Sequence, residues 1–147
     1  MDLILWRHAD AEEGRDDAAR QLTPKGLKQA ARMAEWLEAR LPKNARVLVS
    51  PAVRAEQTAE PLARDATPSK HVGTGAQPAE VLKAAGWPGG SGTVVVVGHQ
   101  PTLGAAAALA LTGKAAAWHI KKGAIWWISA RDGGSPVVVA VMTPDLL

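Results

Sequence analysis

Two histidines and two arginines carry the chemistry legible in this chain. His8 ends the apolar run Leu3-Ile4-Leu5-Trp6-Arg7-His8, and His99 ends Val94-Val95-Val96-Val97-Gly98-His99. In open α/β sheets, ligands bind outside the carboxyl ends of strands, so both imidazoles are expected on one rim. A third run, Val47-Leu48-Val49, leads through Ser50-Pro51 to Arg54 at the start of a helix. Arg7, Arg54, His8 and His99 would then converge on one anion. Histidine attacks phosphorus through one ring nitrogen when a hydrogen bond holds the other. Arginine's fixed fork meets two phosphate oxygens at once and stays charged at any working pH. The set therefore predicts phosphoryl transfer, with His8 as nucleophile, Arg7 and Arg54 as donors, and His99 as a third donor when protonated. Helices opening near Pro51 and Pro101 would add free N–H groups and the positive ends of their dipoles. No metal or cofactor is called for, since two arginines beside the histidines would repel a cation.

The elements that must position these groups follow from pattern. Residues 2–7 read as a buried strand, and the polar stretch from Asp10 to Gln21 as a mobile loop beside the site. Thr23-Pro24 is an N-cap with proline at the first helical position, opening an amphipathic helix that ends before Pro42. Residues 46–49 form a second strand. Ser50-Pro51 repeats the cap signature for a helix that Pro61 shortens. A short strand near Lys70–Val72 and a helix from Pro78 to Ala85 are expected next, then a turn at Gly89–Gly92. Thr93–Val97 is a β-branched strand, and Pro101 opens an alanine-rich helix to about Leu111. Two last strands, at Gly123–Ser129 and Val137–Met142, join at Asp132-Gly133-Gly134-Ser135. Alternating strands and helices predict a three-layer α/β/α architecture with a mostly parallel sheet and an antiparallel edge strand.

Composition bounds the rest. At 147 residues and 47% hydrophobic, the chain suits one domain over residues 1–147. It has no cysteine, which removes disulfides and thiolate catalysis. The net charge of +3 is dispersed, so nucleic-acid binding is not indicated. The apolar run between Asp2 and Arg7 is too short for a signal peptide, and no stretch approaches the roughly 20 apolar residues of a membrane span. A cytoplasmic protein without membrane contact is expected; oligomeric state is not readable. With no Phe or Tyr, the six tryptophans are the aromatic residues left to fill the core.

Arg7-His8-Ala9-Asp10-Ala11 resembles the Arg-His-Gly signature of the histidine phosphatase superfamily, which has a phosphoglycerate mutase-like fold, and Gly98-His99 resembles its second-histidine motif. Leu22-Thr23-Pro24-Lys25-Gly26 and Ser50-Pro51 through Arg54-Ala55-Glu56-Gln57-Thr58 are similar in particular to SixA-type phosphohistidine phosphatases. The resemblance runs from Met1 to about Leu111. It implies His8 as the nucleophile and Arg7, Arg54 and His99 as the substrate-binding phosphate pocket. The chain departs from the pattern at Ala9, where glycine is commonest; the resemblance holds there if the backbone is ordinary.

Longer members of that superfamily carry insertions that cover the site and supply an acid for an alkoxide leaving group. This chain has no obvious large insertion, and Asp10, Glu12 and Glu80 are the candidate acids. An open site suits a phosphorylated side chain on a protein, and an imidazole leaving group that already carries a proton needs no strong acid. The expected partner is accordingly a phosphohistidine-bearing phosphotransfer protein in signalling. A small phosphorylated substrate, for a phosphomonoesterase or less readily a mutase, is the alternative, and a phosphoprotein-binding module without useful turnover is a further one. His71 and His119 carry no motif and read as structural or surface residues.

Overall fold

The computed structural model describes residues 1–131 and 134–147. Its six-stranded sheet is built from β1 (Asp2–Arg7), β2 (Arg46–Val49), β3 (Ala66–Pro68), β4 (Thr93–Gly98), β5 (Ile125–Ser129) and β6 (Val137–Met142), in the order β3-β2-β4-β1-β5-β6. The pairs β3·β2, β2·β4 and β4·β1 are parallel, and β5 runs antiparallel to both β1 and β6. The expected antiparallel strand is thus β5, one place in from the edge; the hairpin's return turns β6 back to the direction of β1. The turn expected at Asp132 and Gly133 lies outside the described residues.

Alternation along the strands sorts two cores onto the two faces. Leu3, Leu5, Val94, Val96 and Ile128 pack with Val81, Leu82, Leu103 and Ala106 from α3 (Pro78–Ala85) and α4 (Thr102–Thr112). Ile4, Trp6, Val95, Val97 and Val47 pack with Met33, Leu37, Ala55 and Ala59 from α1 (Pro24–Glu38) and α2 (Val53–Ala59). These are the three layers. Trp6 is fully buried, and the edge-on Trp36–Trp127 and tilted Trp118–Trp126 pairs fill the flanks, as aromatic residues in short supply should.

Local signals explain the helix starts. Thr23 caps α1 by accepting from the Gly26 amide at 2.9 Å, with Pro24 in the first turn. A Cβ on Gly26 would collide with the carbonyl of Asp10, so glycine lets α1 sit against the segment that follows His8. Two expectations shift. The third strand lies at Ala66–Pro68 and not at Lys70–Val72, which forms a 3-10 turn that buries Val72 in the core. Helix α2 begins at Val53, capped by Ala52 without a side-chain bond; Ser50 Oγ accepts the Ala52 amide, just ahead of the helix. Among the described residues no helix is long and apolar enough to cross a membrane.

Candidate active site

Register makes the first part of the site. β1 and β4 pair with Arg7 opposite Gly98, so His8 and His99 leave adjacent strands side by side, their ring centroids 5.2 Å apart. β2 flanks β4 with Val49 opposite Val97, and the Ser50 amide still donates to the Val97 carbonyl at 3.0 Å. Three parallel strand ends therefore deliver Ser50, His99 and His8 in a row, and the first turn of α2 adds Arg54.

His8 is 8% exposed. Its Nδ1 lies 2.8 Å from the Ala9 carbonyl oxygen, which can only accept, and Arg54 Nε–H approaches its Nε2 at 3.3 Å. These two contacts assign the proton to Nδ1 and the lone pair to Nε2. Burial, helped by the positive charges of Arg54, Arg7 and Arg20, pushes the imidazole down to about 4 against the opposing pull of the Ala9 carbonyl. The ring is neutral at neutral pH. The Ala9 amide donates to Thr58 Oγ1 at 3.1 Å and the Thr58 hydroxyl donates to the Arg54 carbonyl at 2.7 Å, so α2 holds both the arginine and the backbone that orients His8. Ala9 has no positive φ; among the described residues Ala63 is the one non-glycine that does, so alanine replaces glycine here without strain.

His99, 6% exposed, has its Nε2 2.7 Å from Ser50 Oγ, while its Nδ1 is buried without a partner. Ser50 Oγ also accepts the Ala52 amide at 3.2 Å, which leaves the hydroxyl hydrogen available to His99 Nε2. Burial, with the neighbouring His8 and Arg54 charges, pushes His99 down to about 3. At neutral pH the ring in the free protein is neutral, and the donor left to it is one N–H. Arg7 Nη1 donates to the Ile120 carbonyl at 2.8 Å, its Nε is buried without an acceptor, and burial lowers its pKa.

These four residues line a cavity of about 730 Å³, walled on one side by Glu13, Asp17 and Arg20 and on the other by Gln77, Gln100 and Thr102. The three candidate acids do not line it. Asp10 accepts from Lys122 at 2.8 Å and from the Thr23 hydroxyl at 2.7 Å, Glu80 pairs with exposed His71 at 2.8 Å, and Glu12 lies outside the lining. Nor is the Asp10–Gln21 segment loose. It is bridged at Ala11 and Leu22, the Leu22 amide donates to Gln57 Oε1 at 2.7 Å, and Asp17 meets Arg54. Ser50, Thr58, Asp17 and Arg20 are site residues that the sequence reading missed. Ser50 and Thr58 stand in quoted motifs, whereas Asp17 and Arg20 fall in a polar stretch without periodicity.

Such a rim, with two neutral imidazoles, the buried guanidinium of Arg54 and the half-buried one of Arg7 at parallel strand ends, defines a phosphoryl-binding α/β class. Residues 3–74 match branch 1 of the histidine phosphatase superfamily. The chain belongs to that superfamily. It is 38% identical over 106 residues to the uncharacterized protein Rv1276c of Mycobacterium tuberculosis (strain ATCC 25618 / H37Rv), covering 69% of this chain and 66% of that protein. The chain thus spans just under two thirds of that relative's length. It is 43% identical over 61 residues to the phosphohistidine phosphatase SixA of Escherichia coli (strain K12), covering 41% of this chain and 38% of SixA. A solved structure of the protein histidine phosphatase SixA complexed with tungstate superposes with a TM-score of 0.82 at 26% identity, covering 99% of each chain.

Proposed function

We propose that this chain is a metal-independent phosphatase that works through a phospho-His8 intermediate and acts on phosphohistidine of a phosphotransfer protein. The observation that carries the chemistry is the orientation of His8: Nδ1–H tied to the Ala9 carbonyl, and Nε2 bearing its lone pair beside Arg54. Nε2 attacks phosphorus. Arg7, Arg54 and His99 receive the charge spread over the equatorial oxygens. Arg7 Nε and His99 Nδ1, buried and without protein acceptors, are the donors a phosphoryl oxygen would satisfy. The similarity to SixA, one structure of which holds the oxyanion tungstate, supports the same reading.

The leaving group decides the substrate. Asp17 is held below the usual carboxylate range, because its bonds and charges with Arg54 and Arg20 outweigh the upward push of burial, so it is ionised and cannot protonate an alkoxide. A phosphorylated imidazole with a proton on its second nitrogen leaves as neutral imidazole when the P–N bond breaks, taking the bond pair without help. Water then hydrolyses phospho-His8 to phosphate. Glu13, a lining carboxyl outside the arginine pairs, favours phosphomonoester hydrolysis as the second reading.

The test is kcat/KM for a phosphohistidine-bearing phosphotransfer domain and for a simple phosphomonoester, with His8→Ala as control. A His8-dependent preference for the former supports the proposal, whereas preference for the ester replaces its substrate. Phosphate binding without turnover would leave a phosphoprotein-binding module.

A further inference from the structure

Arg54 should greet a phosphoryl group with its outer nitrogens, yet in this structure every nitrogen of its guanidinium is engaged. Nε serves His8, Nη1 donates to the Asp17 carbonyl at 2.6 Å, and Nη2 donates to Asp17 Oδ2 at 3.2 Å. The other carboxylate oxygen of Asp17 accepts from Arg20 Nε at 3.1 Å. A single carboxylate thus bridges two arginines that line the cavity, as two oxygens of an oxyanion would. The two ends of the contact are unequal. Arg54 is 4% exposed and fixed by α2, while the Asp17 side chain is 59% exposed. Asp17 begins a 3-10 turn, Asp17–Ala19, that buries no residue and has no side-chain cap. Of the two partners, the Asp17 side chain is the one with solvent to swing into.

We infer that Asp17 is an internal surrogate anion: it occupies Arg54 in the free protein, yields it to the phosphoryl group, and returns to help expel inorganic phosphate. Asp17 is then an affinity-determining residue, which raises the threshold for oxyanions and keeps the product from lingering. A dianionic phosphoryl group, bound at once by Arg7, His99 and Arg54, can displace it; a weaker anion cannot. The inference rests on the proposed function, in that the phosphoryl group must come to Arg54.

The sign of one substitution separates this role from scaffolding. Asp17→Asn keeps the shape and removes the charge, so inorganic phosphate should inhibit it about tenfold more tightly than the wild type, the worth of one charge-assisted contact no longer competing. Asp17→Glu should stay close to the wild type. In the wild type, saturating phosphate should speed hydrogen exchange at the Ala19 and Arg20 amides, which bond to Asp16 and Asp17 in the free turn. Weaker inhibition of Asp17→Asn would show that the carboxylate holds Arg54 ready for phosphate, and equal inhibition would show the contact to be idle; either overturns the inference and leaves the function intact. Phosphate binding to neither protein would overturn both.

Discussion

His8 and His99 are near twins in position and opposites in wiring. Both follow a central parallel strand, both are buried, and their rings lie 5.2 Å apart. His8 is held through Nδ1 by a backbone carbonyl, which can only accept, so its tautomer is forced and Nε2 is left nucleophilic. His99 is held through Nε2 by a hydroxyl, which can give or take a hydrogen, and Nδ1 is the nitrogen left over. In the proposed mechanism the backbone acceptor prepares His8 as the nucleophile, and a serine hydroxyl that spends one lone pair on the Ala52 amide prepares His99 as a neutral donor. Chemistry follows the second hydrogen bond more than the residue type.

The two rings should differ most as nucleophiles. His8→Ala should lower kcat by about 10⁴-fold or more and abolish the acid-labile phosphoryl label on the protein. A labelled His8→Ala protein would reassign the nucleophile. His99→Ala should lower kcat by about 10²- to 10³-fold, the loss of one preorganised donor, while the label on His8 still forms in a single turnover. Loss of the label with normal binding of phosphate would make His99, not His8, the covalent residue.

What the two rings share is burial in the neutral form, and that has a pH signature. Folding depresses both below the ordinary 6.5, to about 4 for His8 and about 3 for His99. Below about pH 6.5 the unfolded chain therefore binds protons that the folded chain refuses. Stability is full above that pH and falls as pH drops toward 4, by roughly 3 kcal/mol for His8 alone. Melting temperature measured from pH 7 to pH 4 should decline, and less steeply in His8→Gln; equal slopes would place the titration elsewhere. The smallest effect sharpens the contrast most. Ser50→Ala should cost about tenfold in kcat/KM, the worth of one buried hydrogen bond. It should also turn the ¹⁵N signature of His99 from a single Nδ1–H tautomer to a mixture, while that of His8 is unmoved. Ser50→Thr should restore the single tautomer.

Much of the frame was legible along the chain. The β-branched run ending at Gly98 and the apolar run ending at Arg7 marked two central strands, and Thr23-Pro24 and Pro78 marked two helix starts. The third strand carries little signal of its own, because Ala66-Thr67-Pro68 has little β-forming character and pairs where β2 offers an edge. Ser50 has the type and the following proline of a helix cap, and its oxygen does accept the nearby Ala52 amide, but its hydroxyl also meets His99 Nε2, 49 residues away.

That His8 and His99 stand at strand ends, accompanied by Arg7 and Arg54, is written in the local pattern, because strand periodicity and proline punctuation are local properties of the chain. Folding alone sets which nitrogen of each ring carries the proton, pairs Asp10 and Glu80 outside the cavity, and seats Asp17 on Arg54. Those outcomes depend on contacts between elements far apart along the chain, such as His8 with Arg54, 46 positions on, and Asp17 with Arg54, 37 positions on. Hydrogen-bond direction and desolvation are set by what folding brings within about 3 Å, and no local pattern encodes that.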